Sequence, residues 1–360
     1  MKRLITVITM LALSLVLAVQ PAAAATTTFT DVTKANQFHD EIQYLTGKKI
    51  ISGFTNGTFK PKVEVTRGDA AIMIGRLKNL DGTKRPSKFK DVNKNSAASG
   101  YIASAVAKGY ITGYADGTFR PNAILTRGDM AIILSRVLDL QLGSMHEFSD
   151  VSDSMKASEA IYNMTGEFIT GGYADGTFRP YKNVTREQFS AFLARALSPV
   201  YKQRTVSKDS FSYDMTKKYV FNNSGEKEQL SFKNTNAKFG DYTYKGFFWE
   251  YLNTTTNKAQ YVRYEETKDA LYLEYPFSDA SNELKFPIKV GLKWTPALSE
   301  SESNTITGVN KTITTPYKKF TNAVEVTTET GIKKYFVKGI GQVKTVDKSG
   351  KVLSELVSIQ

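Results

Sequence analysis

The sequence holds no cysteine and only two histidines in 360 residues. Without thiols there are no disulfides, so stability must come from packing. A cysteine nucleophile, a thiolate metal site and a lipid-modified cysteine are excluded by the same absence. Both histidines, His39 and His146, fall in the first half of the chain. The second half therefore lacks the groups for a Ser-His-Asp or Cys-His site and the usual zinc ligands. No metal or cofactor is expected. Also missing, beyond the first two dozen residues, is any apolar run long enough to span a bilayer. Runs of Lys and Arg are absent too. The net charge of +13 is spread along the chain with no basic tail. A distributed basic surface favours an acidic partner, and without a nucleic-acid motif that partner is not a nucleic acid.

Residues 1–24 differ from the rest. Lys2 and Arg3 precede an apolar stretch from Leu4 to Val19, followed by Pro21 and the small residues Ala22 to Ala25. This order is that of a secretory signal peptide, with cleavage near Ala24 or Ala25. Its removal is expected to leave no transmembrane anchor.

What is present is repetition. Phe29-Thr30-Asp31-Val32 returns as Phe89-Lys90-Asp91-Val92 and Phe148-Ser149-Asp150-Val151. A Gly-aromatic turn begins at Gly53, Gly113 and Gly172, and its proline is Pro61, Pro121 or Pro180. A Thr-Arg pair follows at Thr66-Arg67, Thr126-Arg127 and Thr185-Arg186. Every landmark keeps its offset from the Asp of its copy. Such a period marks a repeat architecture whose units bury a shared core.

Each unit reads as helix, turn, helix. The first helix places Ile42 and Leu45, Ile102 and Ala105, and Ile161 and Met164 on one face. Asn-Gly or Asp-Gly then forms the turn. Thr66, Thr126 and Thr185 stand three residues before Asp69, Asp129 and Gln188, the spacing of a capping box. The second helix buries Ala70, Met73, Ile74 and Leu77 and their counterparts Met130, Ile133, Leu134, Val137 and Phe189, Phe192, Leu193, Ala196. Arg67, Arg127 and Arg186 open these helices, where the macrodipole disfavours a cation. Two readings stand side by side: a salt bridge to Asp31, Asp91 or Asp150, and an anion site made of an Arg fork and free backbone N–H groups. The Arg-Gly-Asp tripeptides at 67–69 and 127–129 carry no weight, because their Asp is committed to a cap.

These three ordered motifs resemble the S-layer homology (SLH) repeat over roughly residues 29 to 198. The resemblance implies a pseudo-threefold all-α bundle whose inter-repeat grooves bind the pyruvylated secondary cell-wall polysaccharide of Gram-positive bacteria. On that basis Arg67, Arg127 and Arg186 would meet the pyruvyl carboxylate. Gly53, Gly113 and Gly172 would admit the sugar close to the backbone, and Asp31, Asp91 and Asp150 would line the grooves. Phe54, Tyr114 and Tyr173 would stack on a sugar or join the core. The sequence departs from the family pattern at Gly171, where the other copies have Ser52 and Thr112, and at Gln37-Phe38-His39. These departures bear on whether the three grooves bind equally.

The implied organisation is a signal peptide at 1–24, repeats at 25–82, 83–142 and 143–200, and a domain at 201–360. After Pro199 alternation replaces the helical period. Residues 270–277, 283–294, 323–347 and 351–359 read as strands, with a hairpin turn at Lys348-Ser349-Gly350. A mainly antiparallel sheet, a half-open barrel, is expected. Parts of it are similar to β-rich domains that trail other secreted proteins of Firmicutes. Trp249, Trp294, Tyr242, Tyr244 and Phe248 are core residues or a carbohydrate-stacking face. Glu265, Glu266, Glu274 and Glu283 are the carboxylates from which a glycosidase could be built. The reading is a secreted cell-surface protein, anchored by its repeats and displaying a β domain. The alternatives are a wall-targeted polysaccharide enzyme and an S-layer structural protein.

Overall fold

The computed structural model describes residues 29–141, 143–144, 147–239, 241–275, 280–297 and 302–360. Residues 1–24, read above as a signal peptide, and His146 lie outside them. Each repeat contributes two helices: α1 (His39–Gly47) and α2 (Arg67–Leu77), α3 (Ser99–Ala107) and α4 (Arg127–Leu138), α5 (Ser158–Gly166) and α6 (Arg186–Leu197). All three second helices start with a complete capping box. Thr66, Thr126 and Thr185 accept from the backbone of Asp69, Asp129 and Gln188, whose side chains reach back to the cap N–H. The faces foreseen from periodicity are buried, with Ile42, Leu45, Ile102, Ala105, Ile161 and Met164 fully shielded and only Leu77 and Ala196 of the named residues partly exposed.

Packing runs in a circle. The second helix of each repeat lies against the first helix of the next: α2 on α3, α4 on α5 and α6 on α1. The three repeats thereby share one hydrophobic core. At its axis the backbone closes a three-membered ring. Val65 N–H donates to Val184 O at 2.9 Å, Val184 N–H to Leu125 O at 3.0 Å, and Leu125 N–H to Val65 O at 2.9 Å. These three side chains are fully buried, so no water competes for the ring.

The second half is a sheet of twelve antiparallel strands. They are β1 (Lys218–Asn223), β2 (Glu226–Phe239), β3 (Tyr242–Asn253), β4 (Ala259–Glu266), β5 (Ala270–Glu274), β6 (Ser281–Lys285), β7 (Lys293–Trp294), β8 (Asn304–Thr314), β9 (Lys319–Thr328), β10 (Lys333–Val337), β11 (Gly341–Val346) and β12 (Val352–Ile359). Their order is β6-β5-β4-β3-β2-β1-β12-β11-β10-β9-β8-β7. Two meanders therefore join where β1 meets β12. The ends approach each other as well: Asn282 N–H donates to Pro296 O at 2.6 Å, and Trp294 Nε1 to Asn282 O at 2.8 Å. The sheet thus curls towards closure. Trp249, Trp294 and Phe248 are buried; these three are core residues and not an open stacking face. Tyr242 is 65% exposed. The Asp347–Lys351 turn joins β11 to β12 as foreseen. Strands β1 to β4 and β8, missing from the reading of alternation, make up much of the sheet.

The two halves are docked through the third repeat. After α7 (Pro199–Lys202), the buried Lys202 ammonium donates to Glu167 O and pairs with Glu167 Oε2 at 3.7 Å. Arg263 of β4 donates to Gly143 O at 3.0 Å, Gly166 O at 2.9 Å and Glu274 Oε2 at 2.9 Å. Ser144 hydrogen-bonds Glu265. Phe168 adopts a left-handed φ of 54° and meets Phe232 edge-on at 6.0 Å. Lys49 and Gly109 hold the same place in the other repeats, also with positive φ. An aromatic at such a backbone position is strained, and here the ring packs against the core of the β domain.

Candidate ligand grooves between the repeats

Each opening arginine reaches across to the turn of the following repeat. Arg67 Nε donates to Phe119 O at 2.9 Å and its Nη2 to Thr112 O at 2.7 Å. Arg186 does the same to Phe59 O at 2.9 Å and Ser52 O at 3.0 Å, closing the circle from repeat three to repeat one. Arg127 Nε donates to Phe178 O at 2.8 Å. The Asp salt bridges considered from sequence are replaced by bonds to main-chain carbonyls. All three arginines are buried, and burial pulls each guanidinium below its ordinary range.

The aspartates have a different task. Asp31 accepts from Phe59 and Lys60 N–H, both at 2.7 Å. Asp91 binds Phe119 and Arg120 N–H at 2.8 and 2.7 Å, and Asp150 binds Phe178 and Arg179 N–H, both at 2.8 Å. Lys60, Arg120 and Arg179 have φ of 58°, 57° and 60°. Each carboxylate therefore clamps a left-handed corner at the end of the turn, and this sets where the carbonyl next to it points. The glycines are equally tied to packing. A Cβ on Gly53, Gly113 or Gly172 would come within 2.4, 2.0 or 2.3 Å of the ring of Phe29, Phe89 or Phe148.

The groove aromatics stand between two cations. Tyr114 lies 5.0 Å from Arg67 and 3.9 Å from Arg120. Tyr173 lies 4.9 Å from Arg127 and 3.9 Å from Arg179, and Phe54 lies 5.1 Å from Arg186 and 4.3 Å from Lys60. Cation–π attraction holds these stacks. Phe54 and Tyr114 remain exposed at 44% and 40%.

A further set of arginines went unnoticed in the sequence, although its signal is as regular as the first. Arg76, Arg136 and Arg195 follow the opening arginines by a constant offset. Arg76 Nη1 donates to Ser52 Oγ at 3.0 Å and lies close enough to disfavour the charge on Arg186. Arg195 does the same to Arg127. Between repeats two and three, Arg127, Arg195, Tyr173, Gln188, Thr170 and Phe38 face a hollow of about 150 Å³ with no acidic residue in its lining. Arg195 Nε and Tyr173 Oη are buried there without a hydrogen-bond partner. His39, at the start of α1, contacts Asp40 at 2.9 Å.

Three helix-turn-helix copies, closed head to tail with an arginine across each junction, define a repeat domain. It is the S-layer homology domain, which matches residues 28–71, 88–131 and 147–190. The chain thus carries three SLH domains. It is similar to a cellulosome-anchoring protein of Acetivibrio thermocellus, 29% identical over 157 residues, covering 41% of this chain and 35% of that protein. S-layer protein EA1 of Bacillus anthracis is 31% identical over 184 residues, covering 49% of this chain and 21% of the relative. An endoglucanase of Bacillus sp. (strain KSM-635) is 31% identical over 176 residues, 47% of this chain and 18% of that enzyme. The chain spans about a third or less of the length of these relatives. Among the described residues no helix is long and apolar enough to cross a membrane.

Proposed function

We propose that the three repeats hold the protein at the cell surface by binding an acidic cell-wall polysaccharide non-covalently, with a pyruvyl ketal as the group recognised. The observation that carries this reading is the hollow between repeats two and three. Two neighbouring guanidiniums face it without a carboxylate in its lining, and two buried polar atoms there lack partners. Unpaired buried polar groups are costly, and like charges side by side add to that cost. An anion with oxygen acceptors, seated against Arg127 and Arg195, relieves both. Tyr173 supplies a hydroxyl for the ligand. The names of the relatives, a cellulosome-anchoring protein and S-layer proteins, support surface attachment.

In this reading the β domain is displayed cargo. Its candidate carboxylates are each held by a neighbour, and Glu265 and Glu274 also by each other. Glu274 pairs with Arg263, Glu265 with Ser144, Glu266 with Ser210 and the Phe211 N–H, and Glu283 with Lys334 at 2.7 Å.

The test is co-sedimentation of the secreted chain with purified Gram-positive walls, with and without their pyruvyl groups. Binding is expected to require pyruvylation. Arg127→Ala is expected to weaken it by about 10- to 100-fold, the worth of a charged hydrogen bond, while Lys94→Ala leaves it unchanged. Binding indifferent to pyruvylation, or equal losses in both variants, would reject the site.

A further inference from the structure

Beside the arginine hollow lies a second recess. It measures about 250 Å³ and sits where the third repeat meets the β domain. Thr170 belongs to both recesses, and the backbone that continues from it places Gly172 at the first and Gly171 at the second. The lining of the second is rich in hydroxyls: Thr170 from the repeat, Thr205 and Ser207 from the connecting segment and Thr267 from the turn between β4 and β5. Gly171, Ser207 and Lys268 are exposed at its surface. Its carboxylates, Glu265 held by Ser144 and Glu266 by Ser210 and the Phe211 N–H, keep their charge, so this recess suits sugar hydroxyls and not a second anionic group.

Gly171 gives this junction its form. The other two repeats have Ser52 and Thr112 at this place, and Ser52 Oγ there engages Arg76. No backbone requirement dictates glycine at 171. Its φ is outside the left-handed range, and an added Cβ would meet nothing closer than Thr205 O at 3.7 Å. The missing side chain leaves space beside Thr205, next to the Thr170 that both recesses share.

We infer that the interdomain recess is an additional subsite of the third-repeat groove, binding the sugar units that follow the anionic end, so that the β domain forms one wall of the glycan site. This rests on the polysaccharide reading above and extends it. The capacity left on these hydroxyls suits neutral sugar units: Thr170 and Ser207 accept from Gly172 and Asp209 N–H and keep their own donors, and Thr205 donates to Lys202 O and keeps an acceptor. Such a subsite adds affinity only for ligands long enough to reach it.

The experiment is titration calorimetry on the full secreted chain with two ligands: the pyruvylated terminal monosaccharide, and a pyruvyl-capped wall-polymer fragment of several sugars. The wild type is expected to bind the fragment more tightly. Gly171→Tyr, which fills the space beside Thr205, and Ser207→Trp, which fills the recess from the connecting segment, are each expected to weaken fragment binding by about tenfold while leaving the monosaccharide within about twofold. Gly171→Thr, restoring the residue type of the second repeat, gives a smaller selective loss. Melting curves confirm that each variant folds. Equal affinity of the wild type for both ligands overturns the inference, as does a loss in the variants that is absent or shared by both ligands. In all these cases the arginine site stands. Failure of the wild type to bind either ligand overturns the polysaccharide reading itself.

Discussion

At the scale of the residue, identical letters in the three repeats carry unequal duties. Arg67 and Arg186 donate to two carbonyls of the neighbouring repeat, whereas for Arg127 one such bond is found, at Phe178 O. The capacity left on Arg127 is what makes its groove the strongest candidate. Gly113 shows how a conserved-looking turn glycine can be a packing residue. Gly113→Ala would drive a methyl into Phe89 and towards Thr118 O, and overpacking of that kind costs about 1–3 kcal/mol. Urea denaturation should show that loss. Glu274 gives a pH signature. Burial pushes its carboxyl from 4.5 up to about 7, with Arg263 opposing and Glu265 adding to the rise. A folded-state value above the unfolded one means that the folded chain holds the extra proton. Its contribution to stability is complete below about pH 4.5 and fades as pH rises towards 7. Glu274→Gln mimics the protonated form. Its stability relative to wild type should therefore increase between pH 4.5 and 7.5, and denaturation at several pH values would detect a flat difference instead.

At the scale of the element, the helices were legible because each signal is local. Capping residues, turn glycines and the 3.6-residue period all act within a dozen positions. Thr126→Ala should destabilise by about 1 kcal/mol through loss of the cap, measurable as an earlier loss of helical ellipticity on heating. The targets of the arginines were not legible, since a main-chain carbonyl has no letter and its direction is set by Asp91 or Asp150 clamping a distant corner. Arg76, Arg136 and Arg195 were legible in spacing yet passed over. Strand β2, which escaped together with β1, β3, β4 and β8, shows another reason. Glu226–Phe239 is polar on both faces over much of its length, and its order comes from pairing with Tyr242–Asn253 along the whole hairpin. Phe168 belongs to this scale too, as the one turn adapted to hold the second domain. Phe168→Gly removes the backbone strain but also the ring that packs against Phe232. It should increase amide exchange at Gly166 and in β4 while leaving the core of repeats one and two protected.

At the scale of the whole molecule, the axial ring of Val65, Leu125 and Val184 has a consequence for what can be added or removed. In an open stack of repeats the outermost copies have a free face, so copies can be gained or lost one at a time. Here each copy completes its neighbour on both sides, and there is no outermost member. Excision of residues 83–142 would remove Leu125 and leave the Val65 carbonyl and the Val184 amide without their partners. Such a chain should lose its cooperative helical melt altogether, whereas a graded loss of stability would contradict the closed arrangement. Three is therefore the size of the unit. Stronger attachment to a wall cannot come from a fourth copy threaded into the bundle. It has to come from another complete trio, or from a neighbouring surface recruited to lengthen a groove that already exists.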